Sequence, residues 1–410
     1  MTVRRQIPGL IVTEREHSVP LDHADPDSPR LTVFTREVAD PDGQERPLLL
    51  FLQGGPGAEA PRPSRTDASP PWLERALADF RVLMLDQRGT GRSSPIGTRL
   101  AGTPEQQADY LALFRADSIV ADAEWIRREL GVERFSVLGQ SFGGFCALRY
   151  LSAAPEGLAE VLFTGGLPPL QVHIDEVYRA TYARQRARNE RYYERYPEDR
   201  ARMLALLARA QEDAPLLPDG DRLHPARLRQ LGDVLGMSDG AERLHYLLEL
   251  DPASPAFLHD AREITTFARN PLYAVLQEAC WADGGATGWA AQRVLAEQAD
   301  WPEEYLTGEH VFPWMFSEPS LVDMREAAEL LAHREWPALY DRAQLEANEI
   351  PAAAVIYAED PYVERSFSEH TAGTVRGLRP WLTSELDHDG LRKDGERVLG
   401  RLLDLARGRV

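Results

Sequence analysis

The sequence predicts an α/β fold with a mostly parallel central sheet, helices on both faces of that sheet and an inserted block of helices. Short apolar runs alternate with stretches of helical periodicity in the first and last parts of the chain. A serine flanked by glycines stands directly after one of these runs. Between the two parts, residues 170–335 have helical periodicity and no clear strand pattern. The simplest architecture is one α/β core interrupted by a helical insertion.

The strands are predicted from apolar runs and from alternation of apolar and polar residues. Residues 10–38 alternate in places and predict two antiparallel strands around a turn at 25–29. Continuous apolar runs are expected for strands that are buried on both faces. Such runs lie at residues 47–52, 81–86, 135–138, 160–164 and 350–357, and a last strand is predicted near 380–383. A C-terminal helix is predicted from about Arg392.

The helical insertion divides the predicted core into two parts. The alternation of strands and helices stops near Gly166 and resumes at residue 350. We therefore predict a first core part at 1–168, a helical cap at 169–336 and a second core part at 337–410. A long helix at 174–196 carries many Arg and Glu residues, and we interpret these as a solvated face.

Composition limits the classes of partner. The chain has 410 residues and a formal net charge of −19, which argues against nucleic acid and anionic membrane surfaces as partners. Its two cysteines, Cys146 and Cys280, provide neither a disulfide framework nor zinc-ligand spacing. No apolar stretch approaches the ~20 residues that span a bilayer, and the N-terminus lacks the apolar core of a signal peptide. We therefore expect a cytoplasmic protein.

A catalytic nucleophile is predicted at Ser141. Residues 139–143 read Gly-Gln-Ser-Phe-Gly between the predicted strand at 135–138 and a helical pattern. This G-x-S-x-G arrangement forms a sharp, strained turn that exposes the serine hydroxyl at the edge of a parallel sheet. Because a serine hydroxyl is a weak nucleophile, it needs a base in contact and a third group that orients the base.

The base and its orienting group are predicted from chain order and from strand ends. In this arrangement an acidic residue and then a histidine follow the serine. Asp360 follows the strand at 350–357 and is our candidate acid, with Glu359 as the alternative. His388 follows the last strand and is our candidate base. His370 also lies beyond Asp360, but it falls in a helix-like stretch.

Two backbone N–H groups are predicted to stabilise the oxyanion that forms on the attacked carbonyl. One belongs to Phe142, which follows the nucleophile. The other is expected from the glycine-rich loop after the strand at 47–52, where we assign Gly55, with Gly54 as the alternative. Glycine permits the backbone conformation that aims an N–H group inward.

Three motifs together resemble the proline iminopeptidase (prolyl aminopeptidase) family of α/β-hydrolases, which are serine peptidases. They are Gly-Gly-Pro-Gly at 54–57, Asp-Gln-Arg-Gly-Thr-Gly-Arg-Ser at 86–93 and Gly-Gln-Ser-Phe-Gly-Gly at 139–144. The resemblance covers nearly the whole chain, including the place of the insertion. One departure is Gln53, where many relatives have histidine.

The resemblance implies release of an N-terminal residue, preferably proline, from a peptide with a free N-terminus. Such enzymes hold the α-ammonium group with acidic side chains of the cap. Segments 270–278 and 307–316 are similar to the regions that do so. The implied substrate-binding residues are Glu278 and Glu309, with Trp281, Trp314 and Phe142 as candidate walls of a proline pocket.

The leading hypothesis is therefore a serine exopeptidase that acts through an acyl-enzyme and needs no metal or organic cofactor. The alternative is a small-molecule carboxylesterase or amidase that uses the same three residues, because the fold fixes the machinery and not the substrate. A third hypothesis is a catalytically silent ligand-binding protein. The intact set of Ser141, Asp360 and His388 argues against it.

Overall fold

A nine-stranded mixed sheet forms the centre of the molecule. The computed structural model describes residues 2–66 and 68–410. The spatial order of the strands is β1-β2-β3-β5-β4-β6-β7-β8-β9. The strands are β1 (Thr2–Ile7), β2 (Leu10–Pro20), β3 (Arg30–Ala39), β4 (Leu48–Leu52), β5 (Arg81–Asp86), β6 (Phe135–Gln140), β7 (Leu158–Thr164), β8 (Ala352–Tyr357) and β9 (Leu378–Thr383).

The pairing of neighbouring strands changes once across the sheet, from antiparallel to parallel. β1, β2, β3 and β5 pair antiparallel, whereas β5, β4, β6, β7, β8 and β9 pair parallel. The predicted antiparallel pair at 10–38 is confirmed in β2 and β3, and the predicted mostly parallel α/β sheet is also confirmed. β1 was not predicted because its sequence, Thr-Val-Arg-Arg-Gln-Ile, buries almost no side chain and so carries little apolar signal.

Helices cover both faces of the sheet. The first part of the chain supplies α1 (Leu73–Asp79), α2 (Pro104–Ala112), α3 (Ala116–Glu129) and α4 (Phe142–Ala153). One face of the sheet packs on α3 and α4, and the other packs on α1 and the C-terminal helix. The continuous apolar runs of β4 and β6 are explained by this arrangement, because each of their side chains is buried on one face or the other.

Most of the insertion between β7 and β8 is helical. Its helices are α5 (Ile174–Arg195), α6 (Pro197–Glu212), α7 (Pro225–Arg229), α8 (Gly240–Leu248), α9 (Pro255–Thr265), α10 (Pro271–Trp281), α11 (Ala290–Glu297) and α12 (Arg325–Ala332), with 3₁₀ turns at Gln230–Gly236, Pro313–Ser317 and Val322–Met324. Apolar residues between Tyr192 and Leu306 form a cluster of their own, whereas α10 and α12 join the main core. The boundaries at 169 and 336 stay a prediction.

The interpretation of α5 as a helix with a solvated charged face is wrong on one side of the helix. Arg184, Arg188 and Arg191 make hydrogen bonds and ion pairs to the loop that follows β8. The error arose because periodicity identifies a charged face but does not show what packs against it.

The last part of the chain completes the core. It contributes α13 (Arg342–Glu346), α14 (Arg365–Thr374), α15 (Gly390–Lys393) and α16 (Gly395–Ala406). β8 and β9 extend the parallel half of the sheet beyond β7, so their carboxyl ends lie at the same edge as that of β6. Among the described residues, no helix is long and apolar enough to cross a membrane.

Candidate active site

Ser141 occupies a strained turn between β6 and α4. Its φ of 51° and ψ of −124° place a non-glycine residue in a sparsely populated backbone region. The turn is tight: a β-carbon added at Gly143 would lie 1.9 Å from the carbonyl oxygen of Leu52, and one at Gly139 would lie 2.4 Å from the carbonyl oxygen of Gly143. The flanking residues must therefore be glycines, as the motif predicts.

Replacing Gly143 with alanine is expected to destabilise the protein by more than about 2 kcal/mol, because rigid backbone of β4 blocks the new methyl group. Thermal unfolding followed by circular dichroism measures the change. Gly373→Ala is the matched control, because a β-carbon there would meet nothing within 4 Å. An equal melting temperature for the two variants would contradict the prediction.

The structure brings Ser141, His388 and Asp360 together. The Nε2 atom of His388 lies 3.0 Å from the Oγ of Ser141, and its Nδ1 lies 2.6 Å from Oδ2 of Asp360. The other carboxylate oxygen of Asp360 accepts hydrogen bonds from the backbone N–H groups of Tyr362 (2.9 Å) and Val363 (3.0 Å). These bonds fix the carboxylate, which in turn can orient the imidazole.

The carboxylate of the alternative acid, Glu359, pairs with arginines of α5 instead of with His388. Its carboxylate lies 3.2 Å from Arg184 and 2.8 Å from Arg191 on α5. Asp360 is almost fully buried and Glu359 is not. The geometry therefore favours Asp360 for the orienting role, as the sequence predicted.

The pKa of His388 is raised above its ordinary value. Burial alone would lower this pKa because it penalises the imidazolium, but the charge and hydrogen bond of Asp360 outweigh burial, and Glu309 adds to them. A base with a raised pKa holds its proton more firmly once it has taken it from a serine. This environment suits general-base catalysis.

The glycine-rich loop after β4 lies against the nucleophile. A β-carbon added at Gly54 would lie 3.1 Å from the β-carbon of Ser141, and Gly55 has a φ of 126°. Gly54 and Gly55 line the same cavity as Ser141. Phe142 begins α4, and the first N–H groups of a helix have no partner within it. The assignment of Gly55 and Phe142 as oxyanion donors stays a prediction that this arrangement supports.

A cavity of about 530 Å³ opens beside the nucleophile. Ser141 and His388 form part of its wall, together with the acidic residues Asp233, Glu263 and Glu309, the arginines Arg262, Arg269 and Arg392, and Tyr273 and Phe267. A small adjoining pocket is lined by Ser141, Phe142, Phe145, Gln277, Cys280, Trp281 and Glu309. The predicted residues Glu309, Trp281 and Phe142 are therefore brought to the site.

Two carboxyl groups of the insertion that line the cavity, those of Glu309 and Asp233, have raised pKa values. Surrounding protein raises the pKa of Glu309 to about 8, mainly by burial and then by the charge of Asp233; a hydrogen bond from the hydroxyl of Tyr273 opposes the rise. Burial raises the pKa of Asp233 to about 6, while His388 and Arg243 partly oppose the rise. Perturbed carboxyl groups in a cleft are typical of functional sites.

Asp233 was missed by the sequence analysis. It lies in the 3₁₀ turn Gln230–Gly236, within the run Leu-Gly-Asp-Val-Leu-Gly. The available signal was a single acidic residue in an otherwise apolar segment, where an ionisable side chain is uncommon.

Glu278 and Trp314 are not among the described residues that line either cavity. Glu278 instead accepts a hydrogen bond of 2.9 Å from the N–H of Ala291, at the first turn of α11. Burial raises the pKa of Glu278, and the N–H of Ala291 opposes this. Trp314 packs against His224 and Phe312, with Arg227 over its ring. Of the predicted substrate-binding residues, Glu278 and Trp314 therefore lie outside the two cavities beside Ser141.

Replacing Glu278 with alanine is expected to lower the free energy of unfolding by about 1 kcal/mol, because α11 loses an acceptor for its N-terminal N–H groups. Hydrolysis rates should stay within about twofold of wild type. Glu297→Ala removes a carboxylate from the exposed end of α11 and is the matched control for stability. A large loss of hydrolysis with an unchanged melting temperature would restore the substrate-binding role implied by the resemblance.

One cluster of possible metal ligands occurs among the described residues, namely Glu198, Asp199 and His245. Asp199 already accepts hydrogen bonds from Tyr192 (2.5 Å) and Arg202 (2.7 Å), and it lies 2.9 Å from Nδ1 of His245. Its lone pairs are thus used within the protein, and none of the three residues lines the cavity beside Ser141.

Comparisons with known proteins identify the family of the chain. A family model described as the alpha/beta hydrolase fold matches residues 47–267. The chain is 46% identical over 407 residues to a proline iminopeptidase from Aeromonas sobria, with 95% of each chain covered. It is 35% identical over 431 residues to proline iminopeptidase aneH from Aspergillus aculeatus, with 98% of this chain and 95% of that protein covered.

A solved structure is also similar: a proline iminopeptidase-related protein from Thermus thermophilus matches with a TM-score of 0.42 and 18% identity, covering 96% of this chain and 99% of that one. The family model and the sheet define the class as an α/β-hydrolase. Because the identity to curated relatives extends over nearly the whole chain, the protein belongs to the proline iminopeptidase family, which confirms the resemblance found in the sequence.

Proposed function

We propose that this protein is a serine exopeptidase that releases an N-terminal residue, preferably proline, from peptides. Two relatives that match nearly the whole chain carry the name proline iminopeptidase. The observation that carries the proposal is the position of two carboxyl groups, on Asp233 and Glu309, in the same cavity as Ser141 and His388. A peptide N-terminus is cationic, and a carboxyl pair beside the nucleophile is suited to hold it.

The reaction begins with attack of the Ser141 hydroxyl on the first peptide carbonyl. His388 takes the hydroxyl proton through Nε2, while Asp360 holds Nδ1 and stabilises the imidazolium. The N–H groups of Gly55 and Phe142 stabilise the oxyanion. His388 then donates the proton to the leaving amine, and the acyl group stays on Ser141. Water activated by His388 hydrolyses this ester and releases the amino acid.

The carboxyl pair explains why cleavage would be confined to the first residue. Ionised Glu309 and Asp233 pair with the α-ammonium group and fix the first carbonyl over Ser141. A peptide extended on that side would place an uncharged amide against these groups, which leaves two half-buried carboxyls without a cationic partner. The small pocket bounded by Phe142 and Trp281 offers apolar walls of the kind that fit a pyrrolidine ring.

A four-substrate comparison tests the proposal. Prolyl-p-nitroanilide, alanyl-p-nitroanilide, N-acetyl-prolyl-p-nitroanilide and p-nitrophenyl acetate are each assayed with purified protein. We expect the free prolyl substrate to react fastest and its N-acetyl derivative to react at least about 100-fold more slowly, since acetylation removes the cation that the carboxyl pair binds. Equal rates for the free and acetylated substrates would overturn the ammonium site.

The alternative, a carboxylesterase or amidase for small metabolites, uses the same three residues. Turnover of the acetate ester without turnover of any prolyl substrate would favour it. We propose the cytoplasm as the compartment, because both cysteines are buried free thiols, and such thiols are typical of a reducing environment. A peptide with a free N-terminus is the partner we propose.

A further inference from the structure

We infer that Arg188, on α5 of the insertion, is a positioning residue that holds the loops of Asp360 and His388 in register. Its guanidinium donates two hydrogen bonds to the carbonyl oxygen of Glu359, from Nε at 2.9 Å and from an Nη atom at 2.7 Å. The same Nη atom also pairs with the carboxylate of Asp387. Glu359 directly precedes Asp360 in the chain, and Asp387 directly precedes His388.

Arg188 acts where the sheet no longer aligns the two loops. β8 and β9 are paired up to Tyr357 and Thr383, and the N–H of Ala358 still donates to the carbonyl of Thr383. Beyond that point, the only direct hydrogen bond between the two loops among the described residues joins His388 and Asp360. The guanidinium therefore supplies a second tie between the loops, one residue before each catalytic side chain.

The chemistry of arginine suits this role. The guanidinium is planar and offers several N–H donors in a fixed fork, so it can hold two acceptors at a defined separation. Only 13% of the side chain is exposed, which limits competition from water. A lysine would keep the charge but could not reproduce the fork.

Other residues of the insertion also contact the loops that carry Asp360 and His388. Arg184 pairs with Glu364 at 2.7 Å, and the N–H of His388 donates to the carbonyl of Gly236 at 3.2 Å. The insertion therefore contacts both loops. Within the described part of the chain, Arg188 is the only residue that bonds to both Glu359 and Asp387. A displacement of about 1 Å between catalytic groups can cost about 100-fold in rate.

The test compares Arg188→Ala with Arg186→Ala on the same helix. Arg186 contacts Asp300 and the ring of Trp301, which both lie in the insertion. Its replacement therefore removes no contact to the loops of Asp360 and His388. For R188A we expect kcat to fall 10- to 100-fold on both prolyl-p-nitroanilide and p-nitrophenyl acetate, with KM within about threefold. R186A should keep kcat within twofold, and R188K should recover part of the loss.

The pH profile separates positioning from a merely structural role. The charges of Asp360, Asp233 and Glu309 favour the imidazolium form of His388, and the charge of Arg392 opposes it. A looser His388–Asp360 pair lowers the pKa of His388, so the acid limb of kcat/KM on the acetate ester should move to lower pH in R188A. The inference is overturned if R188A and R186A have the same kcat. It is also overturned if the loss of activity in R188A equals the fraction of unfolded protein and the acid limb of kcat/KM does not move.

This inference rests on the proposed function, and Ser141→Ala measured in the same assays separates their failures. Surviving activity in S141A would overturn the serine mechanism itself. An inactive S141A beside a fully active R188A would overturn only the role of Arg188.

Discussion

Replacing Ser141 with alanine is expected to lower kcat by at least about 10⁴-fold on prolyl and ester substrates alike, because no other group can form the acyl-enzyme. The loss should be nearly the same in the Ser141→Ala, His388→Ala and double variants, since residues that act as one unit lose their joint effect when either is removed. Steady-state hydrolysis of prolyl-p-nitroanilide measures these losses. Melting temperatures should stay near wild type for S141A.

Covalent labelling supplies an independent measurement of the same prediction. A fluorophosphonate should label the wild-type protein at one residue and should fail to label S141A. Ser152→Ala is the matched control, because Ser152 is a buried serine on α4 whose hydroxyl only donates to the carbonyl of Arg149. An unlabelled wild-type protein would point instead to the catalytically silent ligand-binding hypothesis.

Replacing Glu309 with glutamine is expected to lower kcat/KM for prolyl-p-nitroanilide by about 10²- to 10³-fold, because the α-ammonium loses a desolvated ionic partner. Hydrolysis of p-nitrophenyl acetate should change by less than about threefold, since that ester carries no cation. Glu263→Gln, at a carboxylate that also lines the cavity but is exposed, is the matched control. Equal losses on both substrates in E309Q would contradict the ammonium role.

The pKa of Glu309 gives this prediction a pH signature. With a pKa of about 8, the carboxyl is mostly protonated at neutral pH in the free protein. Binding of an ammonium group favours the ionised form, so the proton must leave. Affinity for the prolyl substrate should therefore rise as pH increases from 6 to 8 and be weakest at the acid end. KM measured across this range should fall in the wild type and lose that slope in E309Q.

The juxtaposition of the three candidate catalytic residues could be predicted because each follows a recognisable strand. Ser141 comes after β6, Asp360 after β8 and His388 after β9, and parallel strands bring their carboxyl ends to one edge. Local pattern and chain order were thus enough to propose the three. The same reasoning predicted every strand of the sheet except β1, whose side chains bury little surface.

The side chains of the insertion that line the cavities were harder to predict because they depend on helix orientation. A shift of one residue rotates a side chain by about 100° around a helix. Gln277 lines the small pocket and donates to the carbonyl of Glu309 at 3.2 Å, whereas its neighbour Glu278 turns toward α11. The resemblance pointed to a segment of α10 that reaches the small pocket, but the side chain that lines the pocket there is Gln277 and not Glu278.

The role of Arg188 was beyond sequence reasoning for a related reason. Its surroundings are formed by segments distant in the chain: Arg188 bonds to Asp387, 199 residues away. A charged residue that contacts a distant loop has the same local pattern as one that faces solvent. Only the packing of α5 on the loops distinguishes them.

The separation of Ser141 from its base also affects when the protein can become active. The two residues lie 247 positions apart, with the whole insertion between them. At typical rates of synthesis, about 10 to 50 s pass between their emergence from the ribosome. A nascent chain that already displays its nucleophile has neither β8 and β9 nor the histidine they position, and it cannot act on the new N-termini of neighbouring chains on the same polysome.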